Sequence, residues 1–172
     1  MGKVFAGLIL LFFDVNLGPV NILPDFVGFF LIHLGMKEVE ECPCWQECQV
    51  TIAAIVLDFI SWGLLAVAGQ SDTGAVGIVL GVINLALQLA VTYRVMKGIC
   101  EMEETSGICL NAEKLSKWWK LTLVCSIAAY ILLWTVVFAL AATVVNVVAA
   151  ICYLVAYYRA WKTYEDQHPQ TI

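Results

Sequence analysis

The feature that most restricts the fold is the long stretch from Leu121 to Tyr158, which contains no charged residue. A helix needs about 20 apolar residues to cross the ~30 Å hydrocarbon core of a bilayer. The stretch is too long for one crossing and long enough for two, so we expect spans over 118–139 and 143–162, with a turn near Ala141 and Ala142. Only 13% of the chain is charged, against about 25% in soluble domains. We therefore expect lipid to cover its surface.

Two further stretches are long enough to cross a membrane. Residues 49–69 are interrupted only by Asp58, and residues 74–93 carry no charge. Nearer the N-terminus, residues 4–13 and 26–36 are apolar, but each covers only about half of the hydrocarbon core at 1.5 Å per residue. A polar segment with two prolines separates them, and proline disfavours helix at the residue before it. The predicted helices cover approximately residues 3–14, 25–40, 49–69, 74–100, 117–139 and 143–165.

The positions of the cations predict how the chain crosses the bilayer. The chain has nine Lys and Arg residues, and the predicted turns at 14–25, 70–73 and 140–142 contain none of them. If every apolar stretch reverses direction, all nine cations lie on one face, which the positive-inside rule makes cytoplasmic. The sequence predicts a single all-α integral membrane domain over residues 1–172, a polytopic transmembrane bundle of three hairpins with both termini cytoplasmic. The first hairpin is either re-entrant or a pair of short crossings.

Asp58 lies midway along its apolar stretch, about 15 Å from either end. A charge at that depth is costly, so we expect the carboxyl group to be protonated, paired or in contact with a wet cavity. No Lys or Arg lies at a similar depth, which argues against a salt bridge. Two interpretations stay open. The group either couples the movement of a proton or cation, or is a protonated acid that bonds a neighbouring helix for packing.

One face of the stretch at residues 74–93 carries small and polar residues. These residues are Gly77, Gly81, Asn84 and Gln88. Their spacings of four, three and four residues bring side chains to the same side of a helix. The Gly-x-x-x-Gly spacing allows close approach of a second backbone, and amides can bond across helices. Asn84 lies at a depth comparable to that of Asp58 and can offer it a donor; the alternative is a packing seam. A similar stripe around Asn146 is interpreted mainly as packing.

The break near the N-terminus contains four side chains with oxygen ligands, namely Asp14, Asn16, Asn21 and Asp25. Irregular backbone inside a bilayer is tolerated only where protein buries it or where it lines water. Half-helices that meet at such a break form the binding sites of several transporters. These residues are therefore candidates to bind a cation or a polar solute. The alternative is an ordinary loop in outer-surface water, with the bilayer thinned around short helices.

The remaining chemistry-bearing residues give little support to a catalytic or metal site. Of seven cysteines, Cys42, Cys44 and Cys48 share one predicted cytoplasmic loop but lack the usual two-residue zinc spacing. Soft-metal binding is a minor alternative there, and we expect no metal. His33 and His168 fit none of the common catalytic motifs. The sequence favours a protein that is not an enzyme and uses no cofactor, and no basic run indicates nucleic acid.

Residues 13–18 read Phe-Asp-Val-Asn-Leu-Gly, and residues 23–28 read Leu-Pro-Asp-Phe-Val-Gly. This N-terminal pattern resembles a group of small polytopic membrane proteins of Gram-positive bacteria, which carry a Leu-Pro-Asp-aromatic-x-Gly element after a similar apolar start. The likeness covers roughly the first 37 residues. It implies a bacterial cytoplasmic membrane. No activity comes with the group, so no catalytic residue can be transferred.

Three functional hypotheses follow. The first is a small permease-like or channel-like protein that moves a cation or small polar solute past Asp58, Asn84, Gln88 and the Asp14–Asp25 segment. The second is a non-transporting accessory subunit or scaffold, in which the same groups hold helices together. The third is a metal or redox sensor that uses the loop cysteines. The expected partners are the lipid bilayer and either a second copy of the chain or a membrane partner subunit.

Overall fold

The computed structural model describes residues 1–12, 16–17, 20–21, 25–39, 42–46, 49–68, 74–132 and 136–167. Within these ranges the chain is helical, as predicted, apart from one short β-ladder. The elements are α1 (Gly2–Phe12), β1 (Asn16–Leu17), β2 (Val20–Asn21), α2 (Asp25–Lys37), α3 (Pro43–Gln46), α4 (Gln49–Ala68), α5 (Gly74–Ser106), α6 (Ala112–Leu132) and α7 (Val136–Gln167).

The chain divides into two compact units, Met1–Arg94 and Val95–Ile172, and the division falls inside α5. The N-terminal unit contains α1 to α4 and the first part of α5. In it α2 packs against both α1 and α4. The C-terminal unit contains the rest of α5 with α6 and α7, and the last two helices pack against each other.

Local capping explains why α5 ends later, and α6 begins earlier, than predicted. Gly107 follows α5 with φ of 67°, and its N–H donates to the Glu103 carbonyl oxygen at 3.1 Å. Glycine adopts this left-handed conformation at little cost, which is why it commonly ends helices. At the start of α6, the Ala112 N–H donates to the Glu103 side chain at 2.8 Å. Glu103 therefore serves both helix ends, a role that its place in an acidic run does not indicate.

The turn predicted near Ala141 and Ala142 is wrong. α6 ends at Leu132, α7 begins at Val136, and both alanines lie within α7. Alanine has the highest helix propensity of all residues, so two adjacent alanines give no local reason to end a helix. The prediction divided the apolar stretch by length alone.

The described helices expose large apolar side chains and bury polar ones. On α4, Phe59 is 55% exposed whereas the adjacent Asp58 is 8% exposed. Thr51, Thr92 and Ser126 are buried as well. Soluble proteins place these residue types the other way round. Two described helical segments, 79–106 and 144–167, are long and apolar enough to cross a membrane.

Candidate functional site

Close packing of α1 against α2 fixes the position where α2 begins. A Cβ atom on Gly7 would lie 2.6 Å from the Gly28 carbonyl oxygen, and one on Gly35 would lie 2.6 Å from the backbone nitrogen of Val4. Both distances are far inside van der Waals contact, so only glycine fits at these positions. Gly7 faces Gly28 while the earlier Val4 faces the later Gly35. The two helices are therefore antiparallel.

Both ends of this hairpin are tied together. At the closed end, β1 and β2 pair antiparallel, with Asn16 opposite Asn21. At the open end, the Lys3 ammonium group forms an ion pair with Glu38. Asn16 and Asn21, predicted as ligands, thus contribute backbone to a short ladder. Their proposed binding role stays a prediction, and Asp14 lies outside the described residues.

α2 and α4 are antiparallel, and two contacts fix their register. The His33 Nδ1 and Thr51 Oγ1 atoms are 2.8 Å apart. The start of α2 lies against the middle of α4, where the ring centroids of Phe26 and Phe59 are 5.4 Å apart in an edge-to-face arrangement. The two contacts are seven residues apart on α2, from Phe26 to His33, and eight residues apart on α4, from Thr51 to Phe59. Residues next to Phe26 and Phe59 therefore lie near one level along the two helices.

A carboxylate and an amide meet at this level. The Asn84 Nδ2 atom donates to the Asp25 Oδ2 atom at 2.8 Å, which joins α5 to the first residue of α2. The Asn84 Oδ1 atom is buried and has no hydrogen-bond partner among the described residues. A buried acceptor without a donor is costly, by about 1–3 kcal/mol. The pair therefore combines a carboxylate oxygen with an amide oxygen that is free to accept a hydrogen bond or to bind a cation.

Asp58 lies near the level of Asp25. Over residues 49–64 of α4, where the structure describes the side chains, the buried ones are Thr51, Ala54 and Asp58, spaced so that they share one face. Thr51 on that face bonds His33 of α2. Because the helices run in opposite directions, Asp25 lies one residue to one side of the Phe26–Phe59 level and Asp58 one residue to the other side. The two acids therefore differ in level by about two residues, or ~3 Å. The sequence predicted Asn84 as a donor to Asp58, whereas its amide hydrogen bonds Asp25.

Gln88 has a structural partner. Its Nε2 atom donates to the Leu11 carbonyl oxygen at 3.3 Å. Leu11 belongs to the last turn of α1, where carbonyl groups lack partners within the helix. Asn84 and Gln88 thus both face the first hairpin, as their four-residue spacing predicts, but Gln88 caps a helix end.

The other predicted packing residues lie in α5 and α7. Gly77 and Gly81 are helical residues of α5, and their packing role stays a prediction. Asn146 of α7 accepts a hydrogen bond from the Ser126 hydroxyl group of α6 at 3.1 Å. A hydrogen bond between neutral side chains of two packed helices is consistent with the interpretation of Asn146 as a packing residue.

The loop cysteines lie close together without forming a disulfide. The Cys42 and Cys44 sulfur atoms are 3.5 Å apart, and neither residue forms a disulfide. Cys42 is buried and Cys44 is partly exposed, while Cys48 lies outside the described residues. Two adjacent thiols leave the soft-metal alternative untested.

The chain matches no protein-family model, no curated protein and no solved structure.

Two features of the site were missed in the sequence. One is Thr51, which bonds His33 and lies on the face of Asp58. Its seven-residue spacing from Asp58, two helical turns, is the signal that could have found it. The other is the set of glycines in the first hairpin. Gly28 and Gly35 are also seven residues apart, and that spacing is as visible as the Gly77–Gly81 pair.

Proposed function

We propose that this protein is a small polytopic membrane protein that moves a cation or a small polar solute, as a permease or channel does, across a bacterial cytoplasmic membrane. The observation that carries the proposal is the hydrogen bond between Asp25 and Asn84, with the buried Asp58 within ~3 Å of the level of Asp25. Ionisable groups among apolar helices are costly and typically mark pathways for ions, protons or solutes.

The proposed orientation puts these carboxyl groups near the middle of the bilayer. Three hairpins have both termini and all nine cations on the cytoplasmic side. Asp25 is then about 18 Å along α2 from Lys37, and Asp58 is about 14 Å along α4 from Gln49. The hydrocarbon core is ~30 Å thick. The exposed apolar side chains of α4 and α7 support this placement because they need an apolar solvent.

One experiment tests the orientation, and a second tests whether water reaches the first hairpin. Reporters that are active only in the cytoplasm, fused to either terminus, should both be active, and an exported terminus would contradict the three-hairpin arrangement. Thiol labelling of Asn16→Cys and Asn21→Cys variants in intact cells should show access of water to the closed end of the first hairpin. Complete protection at both positions would rule out an open polar cavity there.

The chemistry of the site suits a proton or a hard cation. Carboxylate and amide oxygens are the ligands that such cations prefer. The buried Asn84 Oδ1 atom lacks a donor, and a bound cation or a protonated carboxyl group would satisfy it. Reversible occupation of this acceptor is a way for the site to bind and release its cargo.

The decisive measurement is flux into vesicles that contain the purified protein. Proton, Na⁺ and K⁺ fluxes are compared with those of empty vesicles, using wild type, Asp25→Asn and Asp58→Asn. Each substitution removes the ionisable oxygen while keeping size and polarity, so we expect at least a tenfold loss of flux. Glu113→Gln is the matched control, since Glu113 is exposed at the start of α6. Equal flux in all four proteins would refute the role of the two carboxyl groups, and no flux above that of empty vesicles would refute transport of these cations.

A non-transporting accessory subunit or scaffold is the second candidate. The observation that favours it is the hydrogen bond from Gln88 to the Leu11 carbonyl oxygen, which gives one predicted pathway residue a partner at a helix end. Under this alternative Asp58→Leu should retain every partner interaction and raise the thermal stability. Under the transport proposal the same substitution should abolish flux, whatever its effect on stability.

A further inference from the structure

We propose that a cavity between α6 and α7 binds the headgroup and upper acyl chain of an anionic phospholipid. The cavity has a volume of about 280 Å³ and lies wholly within the C-terminal unit. Its lining includes Lys114 and Trp118 of α6 and Ile151, Val155 and Arg159 of α7. The inference rests on the proposed membrane setting but not on transport.

The two cations of the cavity lie at one level. The hydrogen bond between Ser126 and Asn146 sets the register of the antiparallel helices. Lys114 precedes Ser126 by about 18 Å along α6, and Arg159 follows Asn146 by about 20 Å along α7. The ammonium and guanidinium groups therefore flank the same end of the cavity. Two cations at one level suit a phosphate diester, which a guanidinium group can hold through two parallel hydrogen bonds.

The opposite end of the cavity is apolar. Ile151 lies about 12 Å along α7 from Arg159, and Val155 and Cys152 line the wall between them. Trp118 is one turn deeper than Lys114, at the depth where indole rings favour the membrane interface. The lining thus changes from cationic through aromatic to aliphatic in the order in which a phospholipid presents phosphate, glycerol and acyl chain.

Among the described residues, neither cation at the cavity mouth forms an ion pair. In the described part of the C-terminal unit, the ion pairs join Lys97 to Glu101 and Lys117 to Glu113. Neither pair includes Lys114 or Arg159. In the proposed orientation both cations face the cytoplasmic leaflet, where anionic lipids attract basic groups.

The test is native mass spectrometry of the full-length protein in neutral detergent with equal amounts of phosphatidylglycerol and phosphatidylcholine. Wild type should retain phosphatidylglycerol preferentially. In the Lys114→Gln, Arg159→Gln double variant, the ratio of retained phosphatidylglycerol to phosphatidylcholine should fall about ten- to thirtyfold. The matched control is Lys117→Gln, Lys162→Gln, which removes two charges from the same helices outside the cavity and should keep the preference. Equal loss in both double variants would overturn the proposal.

Two further measurements keep the proposal testable if the double variant fails to fold. In each single variant, Lys114→Gln or Arg159→Gln, the ratio of retained phosphatidylglycerol to phosphatidylcholine should fall about three- to tenfold. Ala156→Met narrows the cavity without changing charge and should weaken phosphatidylglycerol retention. Unchanged retention in all three would overturn the proposal. So would displacement of the lipid by excess inorganic phosphate, because the site would then bind phosphate rather than lipid.

These results are separable from the transport proposal. Loss of flux in Asp25→Asn with lipid retention intact supports transport and leaves the lipid site standing. A protein that retains phosphatidylglycerol but conducts nothing refutes transport of the cations tested and not the lipid site.

Discussion

The N-terminal and C-terminal units each contain an asparagine that bonds a side chain of another helix, but the partners differ. In the N-terminal unit, Asn84 donates to the ionisable Asp25 and leaves its own oxygen buried without a donor. In the C-terminal unit, Asn146 accepts from the neutral hydroxyl group of Ser126. An amide in an apolar helix is therefore not by itself a sign of function, and the ionisable partner makes the difference.

The α1–α2 and α6–α7 pairs also differ in how closely their helices approach. Glycines bring the backbones of α1 and α2 into direct contact, with Gly7 against Gly28 and Gly35 against Val4. The α6–α7 pair leaves room for a cavity of about 280 Å³. The closely packed hairpin holds the start of α2, and with it Asp25, in one position, which a binding site requires.

The largest stability effect should come from Gly35→Ala, which tests this close packing directly. The new Cβ atom would lie 2.6 Å from the Val4 backbone nitrogen, so α1 must move away from α2. We expect the free energy of unfolding to fall by about 3 kcal/mol, the upper end of the usual cost of overpacking. Thermal unfolding of the purified protein in detergent measures the change.

Gly63→Ala is the matched control for that substitution. Gly63 is also helical, but a Cβ atom there would meet nothing within 4 Å. Alanine is the better helix former by about 1 kcal/mol, so the variant should be as stable as wild type or slightly more stable. If both variants lose the same stability, the close packing of α1 against α2 is refuted.

Sequence patterns predicted the helices well and their partners only in part. Hydrophobic runs located the long helices. The start of α2 at Asp25 and that of α4 at Gln49 agree with the predicted positions. The end of α5 and the start of α6 did not agree. The first depends on a backbone cap at Gly107, and the second on a hydrogen bond from the Ala112 N–H to the Glu103 side chain, nine residues earlier.

Partner identity in the site depends on register, which a single sequence does not contain. Asn84 is at a depth comparable to that of Asp58 by counting residues, and this made Asp58 the predicted partner. The register of α2 against α4 puts Asp25 at that level too, since His33 meets Thr51. Counting along one helix predicts depth, but only contacts between helices decide which group at that depth is the neighbour.

The next effect should separate the two asparagines. Asn84→Leu removes a hydrogen bond to a carboxylate, whose value is about 1.5–3 kcal/mol, and also removes the buried Asn84 Oδ1 atom that has no donor. Because the second change offsets part of the first, we expect a net loss of about 1.5 kcal/mol. Asn146→Leu should cost about 0.6 kcal/mol, the average for interhelical hydrogen bonds in a bilayer. The freed Ser126 hydroxyl group can bond a carbonyl of its own helix, as Thr122 does with Trp118 at 3.0 Å. Equal losses in thermal unfolding would contradict the distinction between the units.

A smaller effect should show that Gln88 caps a helix and is not part of a pathway. Gln88→Met keeps the side-chain length and removes the donor to the Leu11 carbonyl oxygen. We expect a loss of about 1 kcal/mol in thermal unfolding, the usual value of one hydrogen bond. Cation flux into vesicles should change by less than twofold. A loss of flux as large as that of Asp25→Asn would return Gln88 to the pathway.

The smallest effect concerns charge pairs outside the proposed spans, where the two units again differ. Lys3 and Glu38 join two helices, whereas Glu113 and Lys117 lie on one helix, 2.7 Å apart. The hydrogen bond from Lys117, and then its charge, lower the pKa of Glu113 below its ordinary value. Lys117→Met should therefore raise the pKa of Glu113 towards that value, and Lys120→Met, farther along α6, should shift it less. Carbon NMR titration of the Glu113 carboxyl group measures both.

The sign of the pH dependence follows from the direction of that shift. A depressed folded-state pKa stabilises the folded protein above the unfolded-state pKa, and the contribution is lost as the pH falls through the folded-state value. Because both side chains are exposed, salt should screen the interaction. High ionic strength should thus bring the wild-type pKa of Glu113 close to that of Lys117→Met. A pKa that neither salt nor the substitution moves would show that the Lys117 side chain does not hold the Glu113 carboxylate in solution.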